Sequence, residues 1–112
     1  MSTHPLYSQL TVEEVAAMRQ RNEPFILIDV REPHEYAIAH IDSTVLHPMS
    51  APLDWAAAID RETPIVVMCH HGMRSAHVAA TLIQRFGFRS VANMSGGIDA
   101  WSLLIDTNIP RY

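Results

Sequence analysis

A single cysteine opens the stretch of this sequence that is best suited to chemistry. Cys69 follows the apolar run Ile65–Met68 and precedes a polar loop, after which residues 75–86 form an amphipathic segment. A thiol between a strand and the start of a helix lies beside backbone N–H groups that stabilise negative charge. These amides and the nearby Arg74 would lower the pKa of the thiol and make it nucleophilic. A lone cysteine after a strand is often a buried core residue, but the polar loop favours a nucleophile.

The composition limits the setting in which such a thiol could act. The chain has 112 residues, 48% of them hydrophobic, which is enough for one domain with its own core. Because the chain has one cysteine, it cannot form an intrachain disulfide, and sulfur chemistry at Cys69 must pass to a second molecule. The net charge of −4 argues against a nucleic-acid partner. No signal-peptide pattern or membrane-spanning run is visible, so we expect a cytoplasmic protein.

The spacing of apolar residues predicts alternating strands and helices. We expect strands at residues 6–8, 25–30, 43–46, Ile65–Met68 and 90–94, and helices at Val12–Gln20 and residues 33–36, 53–59, 75–86 and 98–104. Thr11 and Glu14 have the spacing of a capping box before the first helix. This alternation predicts an α/β fold with a central, mostly parallel sheet of about five strands and helices on both faces.

The carboxyl ends of three predicted strands carry residues that could form a site. Asp29 and Arg31 follow one strand, the Cys69 loop follows the next, and Ser-Gly-Gly at residues 95–97 follows the last. Because ligands bind outside the carboxyl ends of strands in open parallel sheets, we expect these three segments to meet around one shallow pocket.

Three motifs in this order resemble the single-domain rhodanese family of thiosulfate sulfurtransferases. They are Asp-Val-Arg-Glu at residues 29–32 with Glu35-Tyr36 and His40-Ile41, Cys-x-x-Gly-x-Arg at residues 69–74, and Ser-Gly-Gly-Ile-Asp-Ala-Trp at residues 95–101 with Pro110 beyond it. The likeness covers residues 6–112, and we expect one such domain over residues 1–112. The chain departs from the family at residues 39–44, where Gly and Pro residues of a turn are missing.

The resemblance implies a rhodanese-like three-layer fold and a double-displacement reaction without a cofactor. In this family the cysteine, here Cys69, takes the outer sulfur of thiosulfate or a similar small anionic donor and carries it as a persulfide. The acceptor would be cyanide, a cellular thiol or a protein. This is covalent catalysis by a soft nucleophile.

The same resemblance assigns roles to the loop after the cysteine. The substrate- and anion-binding loop would consist of His70, His71, Gly72, Met73, Arg74 and Ser75. Its amides would hold the sulfur charge as a nest. We expect Gly72 to supply a backbone conformation closed to other residues, and Ser75 to cap the next helix with a possible hydroxyl contact to sulfur. The bulk of His70, His71 and Met73 would narrow the entry and favour small donors.

The sequence leaves the role of Arg74 open. Its guanidinium could bind the sulfonate end of a donor, or it could form a salt bridge to Asp29 or Glu35. We expect Asp29 and Arg31 to brace the fold as supporting residues, and His40 to be structural rather than catalytic. We expect Trp101 in the core or at the pocket rim.

Other functions are weaker interpretations of the same residues. The histidines lack metal-ligand spacing, so no metal site is predicted. Cysteine phosphatases use Cys-x5-Arg, whereas four residues separate Cys69 from Arg74, which makes a smaller ring of amides. A sulfur-carrier or docking module that delivers persulfide to a partner protein remains the main alternative. We expect no membrane partner, and a monomer is the default.

Overall fold

The computed structural model describes residues 7–112, and in this part of the chain strands alternate with helices. The elements, in chain order, are β1 Ser8–Leu10, α1 Val12–Gln20, β2 Ile26–Asp29, α2 Pro33–Ile38, β3 Val45–Leu46, a 3-10 helix Asp54–Ala58, β4 Ile65–Met68, α3 Met73–Phe86, β5 Val91–Met94 and α4 Gly97–Leu104.

The five strands form one parallel sheet in the order β1-β5-β4-β2-β3, so β4 lies at its centre. Asp29 pairs with Met68, and Leu10 pairs with Met94, which places the carboxyl ends of four strands at one edge. The predicted α/β fold with a parallel sheet of about five strands is confirmed. The site predicted at the carboxyl ends therefore has a common edge on which to form.

The two faces of the sheet carry separate apolar cores. Val66 and Met68 of β4 pack in a cluster with residues of α1 and α4, including Val15 and Trp101. Ile65 and Val67 of β4, with Cys69, belong to the other cluster, which contains residues of α3 and the 3-10 helix. Because successive side chains of a strand point to opposite faces, a buried strand such as β4 is apolar throughout. Helices therefore cover both faces, as the three-layer prediction requires.

Several element boundaries differ from those predicted. Leu6 lies outside the described residues, and β1 begins at Ser8. β3 begins at Val45, since Ser43 has φ of +65°, a left-handed conformation that a strand cannot include. The Thr44 hydroxyl donates to the Ile41 carbonyl at 2.8 Å, and this contact closes the turn in which the family's Gly and Pro are missing. The helix predicted at residues 53–59 is a five-residue 3-10 helix.

The start of α3 corrects one predicted role. Gly72, with φ of +106°, is the N-cap, and the helix begins at Met73. Ser75 therefore lies inside the first turn and is not the cap, so the prediction of a Ser75 cap was wrong. Its hydroxyl is directed to other buried groups. Among residues 7–112, no helix has the length and apolar character needed to cross a membrane.

Candidate active site

The sulfur of Cys69 lies where β4 ends, under the loop that leads to α3. The residue is 1% exposed. The backbone N–H of Gly72 donates to Sγ at 3.1 Å, and the Ser75 hydroxyl oxygen lies 3.3 Å from Sγ. Gly72 can direct its amide inward because it adopts a left-handed conformation that other residues rarely adopt. The loop thus turns backbone and side-chain donors toward one sulfur atom.

The surroundings of Cys69 favour its anionic form. Burial raises the pKa of the thiol, because a charged sulfur loses its hydration. Hydrogen bonds from the Ser75 hydroxyl and from the backbone amides of Ser75, Gly72 and His71 act in the opposite direction and outweigh burial. The pKa of Cys69 therefore lies below its ordinary value, as suits a nucleophilic thiolate.

Asn93 extends this hydrogen-bonded group to the neighbouring strand. Its Oδ1 lies 2.5 Å from the Ser75 hydroxyl oxygen. Its Nδ2 donates to the Gly72 carbonyl at 3.0 Å and to Gln9 Oε1 at 3.1 Å. Asn93 was not predicted as a site residue. The signal in the sequence is a polar side chain within the otherwise apolar strand β5, all of which is buried.

Arg74 is held in an ion pair, one of the two roles that the sequence left open. Its Nη1 lies 2.7 Å from Glu35 Oε1, and its Nη2 lies 2.9 Å from Oε2. The bond from Arg74 outweighs burial and lowers the pKa of Glu35 to about 2. The pKa of Arg74 is raised, first by Glu35 and in part by the nearby Cys69. Most of the charge of this guanidinium is thus balanced by a carboxylate.

The predicted supporting pair Asp29 and Arg31 is fully buried. Arg31 Nε and Nη2 donate to the two carboxylate oxygens of Asp29 at 3.0 and 2.7 Å, and Nη2 also donates to the Ala39 carbonyl at 2.7 Å. These bonds join the end of β2 to the end of α2.

His40, on the surface, stacks on Tyr36 with ring centroids 4.3 Å apart.

Tyr112 connects the buried pair to the loop. Arg31 Nη1 donates to the phenol oxygen at 2.7 Å, and the phenol donates to Glu35 Oε2 at 2.9 Å. The ring of Tyr112 stacks on His70 with centroids 4.0 Å apart. No pattern in the sequence indicates this role. Tyr112 lies two positions after Pro110 of the third motif, far along the chain from the other two motifs, and it meets them only after folding.

The Gly-Gly segment at the start of α4 supports the loop from a third side. The amides of Ile98 and Asp99 donate to the carbonyls of Cys69 and His70 at 2.9 and 3.1 Å. A Cβ atom at Gly97 would lie 2.3 Å from the Cys69 carbonyl oxygen and 2.4 Å from that of His70. Only glycine permits this approach. The three predicted segments therefore meet, although Asp29 and Arg31 reach the loop through Glu35 and Tyr112.

Three side chains near the loop offer atoms that a metal ion could use. The ligand atoms of His70, His71 and Asp99 lie within 4.8 Å of one another. The two imidazole rings stack 4.0 Å apart with planes inclined by 26°. The carboxylate of Asp99 accepts from Arg111 at 3.0 Å, so a metal ion would compete with Arg111 for it. Met73 is 84% exposed beside these residues.

Comparisons with known proteins agree on one family. The family model described as rhodanese-like domain matches residues 11–104. The thiosulfate sulfurtransferase GlpE of Stutzerimonas stutzeri is 36% identical over 96 residues, which are 85% of this chain and 84% of that protein. The chloroplastic rhodanese-like/PpiC domain-containing protein 12 of Arabidopsis thaliana is 42% identical over 90 residues, which are 77% of this chain and 30% of that protein.

A solved structure extends the likeness to the backbone. The crystal structure of a rhodanese-like domain protein from Staphylococcus aureus superposes on this chain with a TM-score of 0.78 at 26% identity. The match covers 94% of this chain and 98% of the Staphylococcus aureus chain.

Proposed function

Because this chain belongs to the rhodanese-like domain family, we propose that it is a sulfurtransferase that moves sulfane sulfur from thiosulfate, or a similar small anionic donor, to a thiophilic acceptor. The relatives named thiosulfate sulfurtransferase support transfer of sulfur. The observation that carries the proposal is the position of the Cys69 sulfur, 3.1 Å from the Gly72 amide and 3.3 Å from the Ser75 hydroxyl oxygen.

The proposed reaction has two displacements at sulfur. The Cys69 thiolate attacks the outer sulfur of thiosulfate, a new S–S bond forms, and the old S–S bond breaks with release of sulfite. The acceptor then attacks the outer sulfur of the persulfide. If cyanide is the acceptor, thiocyanate leaves and the Cys69 thiolate is restored. Neither step needs a cofactor, because the electron pair of each broken bond departs with its leaving group.

The loop supports this cycle by stabilising charge on sulfur. The amides of His71, Gly72 and Ser75 lower the pKa of Cys69, and the same amides would hold a persulfide anion close to the start of α3. His70, His71 and Met73 would shape the entry for small donors. Asp29 and Arg31 would support the loop through Tyr112, which accepts from Arg31 and donates to Glu35.

The guanidinium of Arg74 can still bind the sulfonate end of a donor while it is paired. The pair with Glu35 uses one N–H of each terminal nitrogen, and a guanidinium has five N–H groups. Three N–H groups therefore remain for sulfonate oxygens. Because Glu35 offsets the charge, this binding would be weaker than that of an unpaired arginine.

A sulfur carrier that delivers persulfide to one partner protein is the second candidate. The burial of Cys69 and the pairing of Arg74 favour it, since both weaken the capture of a free anion. Cysteine phosphatase activity is less favoured, because only four residues separate Cys69 from Arg74, which makes a smaller ring of amides than Cys-x5-Arg. The cytoplasmic location and the monomeric state stay predictions from the sequence.

Intact mass spectrometry of the protein before and after treatment with thiosulfate tests the proposal. We expect the wild type to gain the mass of one sulfur atom and to lose it to cyanide, and Cys69→Ser to gain none. A gain on both proteins would disprove the assignment of Cys69. No gain from thiosulfate, followed by a gain from a persulfidated donor protein, would favour the carrier.

A further inference from the structure

The orientation of the Asn93 amide is set by a backbone group. Its nitrogen lies 3.0 Å from the carbonyl oxygen of Gly72, which can only accept a hydrogen bond. Were the amide reversed, two oxygens would face each other at that distance. The nitrogen therefore faces Gly72, and the oxygen of Asn93 faces Ser75 as a pure acceptor.

The Ser75 hydroxyl has one proton and two neighbours that can accept it. Asn93 Oδ1 lies 2.5 Å from the hydroxyl oxygen, and Cys69 Sγ lies 3.3 Å from it. While Cys69 is a thiol, the arrangement that satisfies every group sends the Ser75 proton to Asn93 and the S–H proton to the Ser75 oxygen. Once the sulfur is an anion, it has no proton to donate and requires one from Ser75.

We propose that Asn93 is a positioning residue that holds the hydroxyl proton of Ser75 while Cys69 is a thiol and releases it to the sulfur when Cys69 ionises. The Cys69 proton leaves to solvent, and the Ser75 hydroxyl turns about its Cβ–Oγ bond without breaking a covalent bond. Asn93 and Ser75 are both buried. When the Ser75 hydroxyl turns to the sulfur, the Asn93 oxygen is left buried without a donor, and this cost opposes the ionisation of Cys69.

The inference rests on the proposed function, because the exchange of the Ser75 proton serves the sulfur-transfer cycle. In a Cys69 persulfide the negative charge lies on the outer sulfur, and Sγ is then bonded and neutral. The Ser75 proton can return to Asn93, so the hydroxyl follows the charge on Sγ through the cycle. Asn93 thereby sets how much the Ser75 hydrogen bond stabilises the attacking thiolate relative to the persulfide.

A double-mutant cycle of Ser75→Ala and Asn93→Ala tests the competition. The readout is the rate of alkylation of Cys69 by iodoacetamide at one pH below the titration midpoint, where the rate follows the thiolate fraction. In the Asn93→Ala background, Ser75→Ala should lower the rate about tenfold, the effect of losing a hydrogen bond to a charged group. In the wild-type background the loss should be about threefold or less, because Asn93 competes for the proton. Equal factors in both backgrounds, or a larger factor in the wild type, would overturn the proposal.

A spectroscopic measurement on the wild type serves if Asn93→Ala fails to fold. The chain has one cysteine, so its infrared S–H stretch comes from Cys69 alone. At a pH where Cys69 is protonated, we expect this stretch at a lower wavenumber in the wild type than in Ser75→Ala, because the thiol of the wild type donates to Ser75. The same wavenumber in both proteins would contradict the inference. Neither measurement uses a sulfur donor, so each outcome is independent of persulfide formation in the mass experiment.

Discussion

Arg74, in the first turn of α3, forms a two-point ion pair with Glu35 of α2, with N–O distances of 2.7 and 2.9 Å. The phenol of Tyr112 donates to the same carboxylate at 2.9 Å. Because both oxygens of Glu35 accept hydrogen bonds from groups that touch the loop, protonation of this carboxylate would loosen the loop.

Acid should therefore destabilise the protein partly through Glu35. The folded pKa of Glu35 is about 2, below the ordinary value of 4.5. The stabilisation is present above the ordinary value and is lost as the pH falls toward the folded pKa. We expect Glu35→Gln to lower the free energy of unfolding at neutral pH and to flatten its decline over that acidic range. Urea denaturation at a series of pH values measures this, with the exposed Glu13→Gln as the matched control. Parallel curves for the wild type and Glu35→Gln would contradict the prediction.

Removal of Arg74 should weaken the binding of anionic donors. Arg74→Ala eliminates the three N–H groups left over from the ion pair, and we expect KM for thiosulfate to rise about tenfold with a smaller change in kcat. Steady-state kinetics with thiosulfate and cyanide measures this. Arg85→Ala removes the same charge from the far end of α3 and should leave KM unchanged. If KM is unaltered in Arg74→Ala, the guanidinium serves only the ion pair.

A side chain at Gly97 should displace the loop that holds the sulfur. In Gly97→Ala the Cβ atom would overlap the carbonyl oxygens of Cys69 and His70, and φ of +60° adds strain. We expect a loss of about 3 kcal/mol or more in the free energy of unfolding, together with a loss of sulfur transfer. Gly87→Ala is the control, because its φ is +76° and its Cβ would meet nothing within 4 Å. It should cost about 1 to 2 kcal/mol and keep the activity. Equal effects of the two substitutions would refute the steric argument.

The Tyr112 hydroxyl should contribute to stability separately from its ring. Tyr112→Phe keeps the stack on His70 but removes the bond from Arg31 and the bond to Glu35, and should cost about 1 kcal/mol. Tyr112→Ala also removes the stack and should cost more. Thermal melts of both variants and the wild type test the order. If Tyr112→Phe matches the wild type, the phenol does not hold the Glu35 carboxylate in solution.

The fold was predictable wherever local chemistry decides the structure. The Thr11–Glu14 capping box fixes the start of α1, and the apolar run of β4 requires burial on both faces. Both elements have the predicted bounds. Ser75 was misplaced because the left-handed Gly72, whose special backbone conformation was expected, is also the N-cap of α3, three positions before Ser75.

The contacts of the candidate site were less predictable because they join distant parts of the chain. Asn93 reaches Ser75 across 18 positions, and Tyr112 reaches Glu35 across 77. The loop motif placed Cys69, Gly72 and Arg74 together, since they are close in sequence. Which partner Arg74 takes depends on where α2 lies relative to α3, and no local pattern encodes that distance.

The burial of the Cys69 sulfur bears on the regioselectivity of the second displacement. A persulfide has two electrophilic sulfurs, and attack on the inner one would release hydrosulfide and leave a mixed disulfide on the protein. In the proposed persulfide the outer sulfur would stand about 2 Å beyond Sγ, whereas Sγ itself lies on a residue that is 1% exposed. An incoming nucleophile would therefore meet the transferable atom first, and the fold would protect the enzyme from a dead-end adduct.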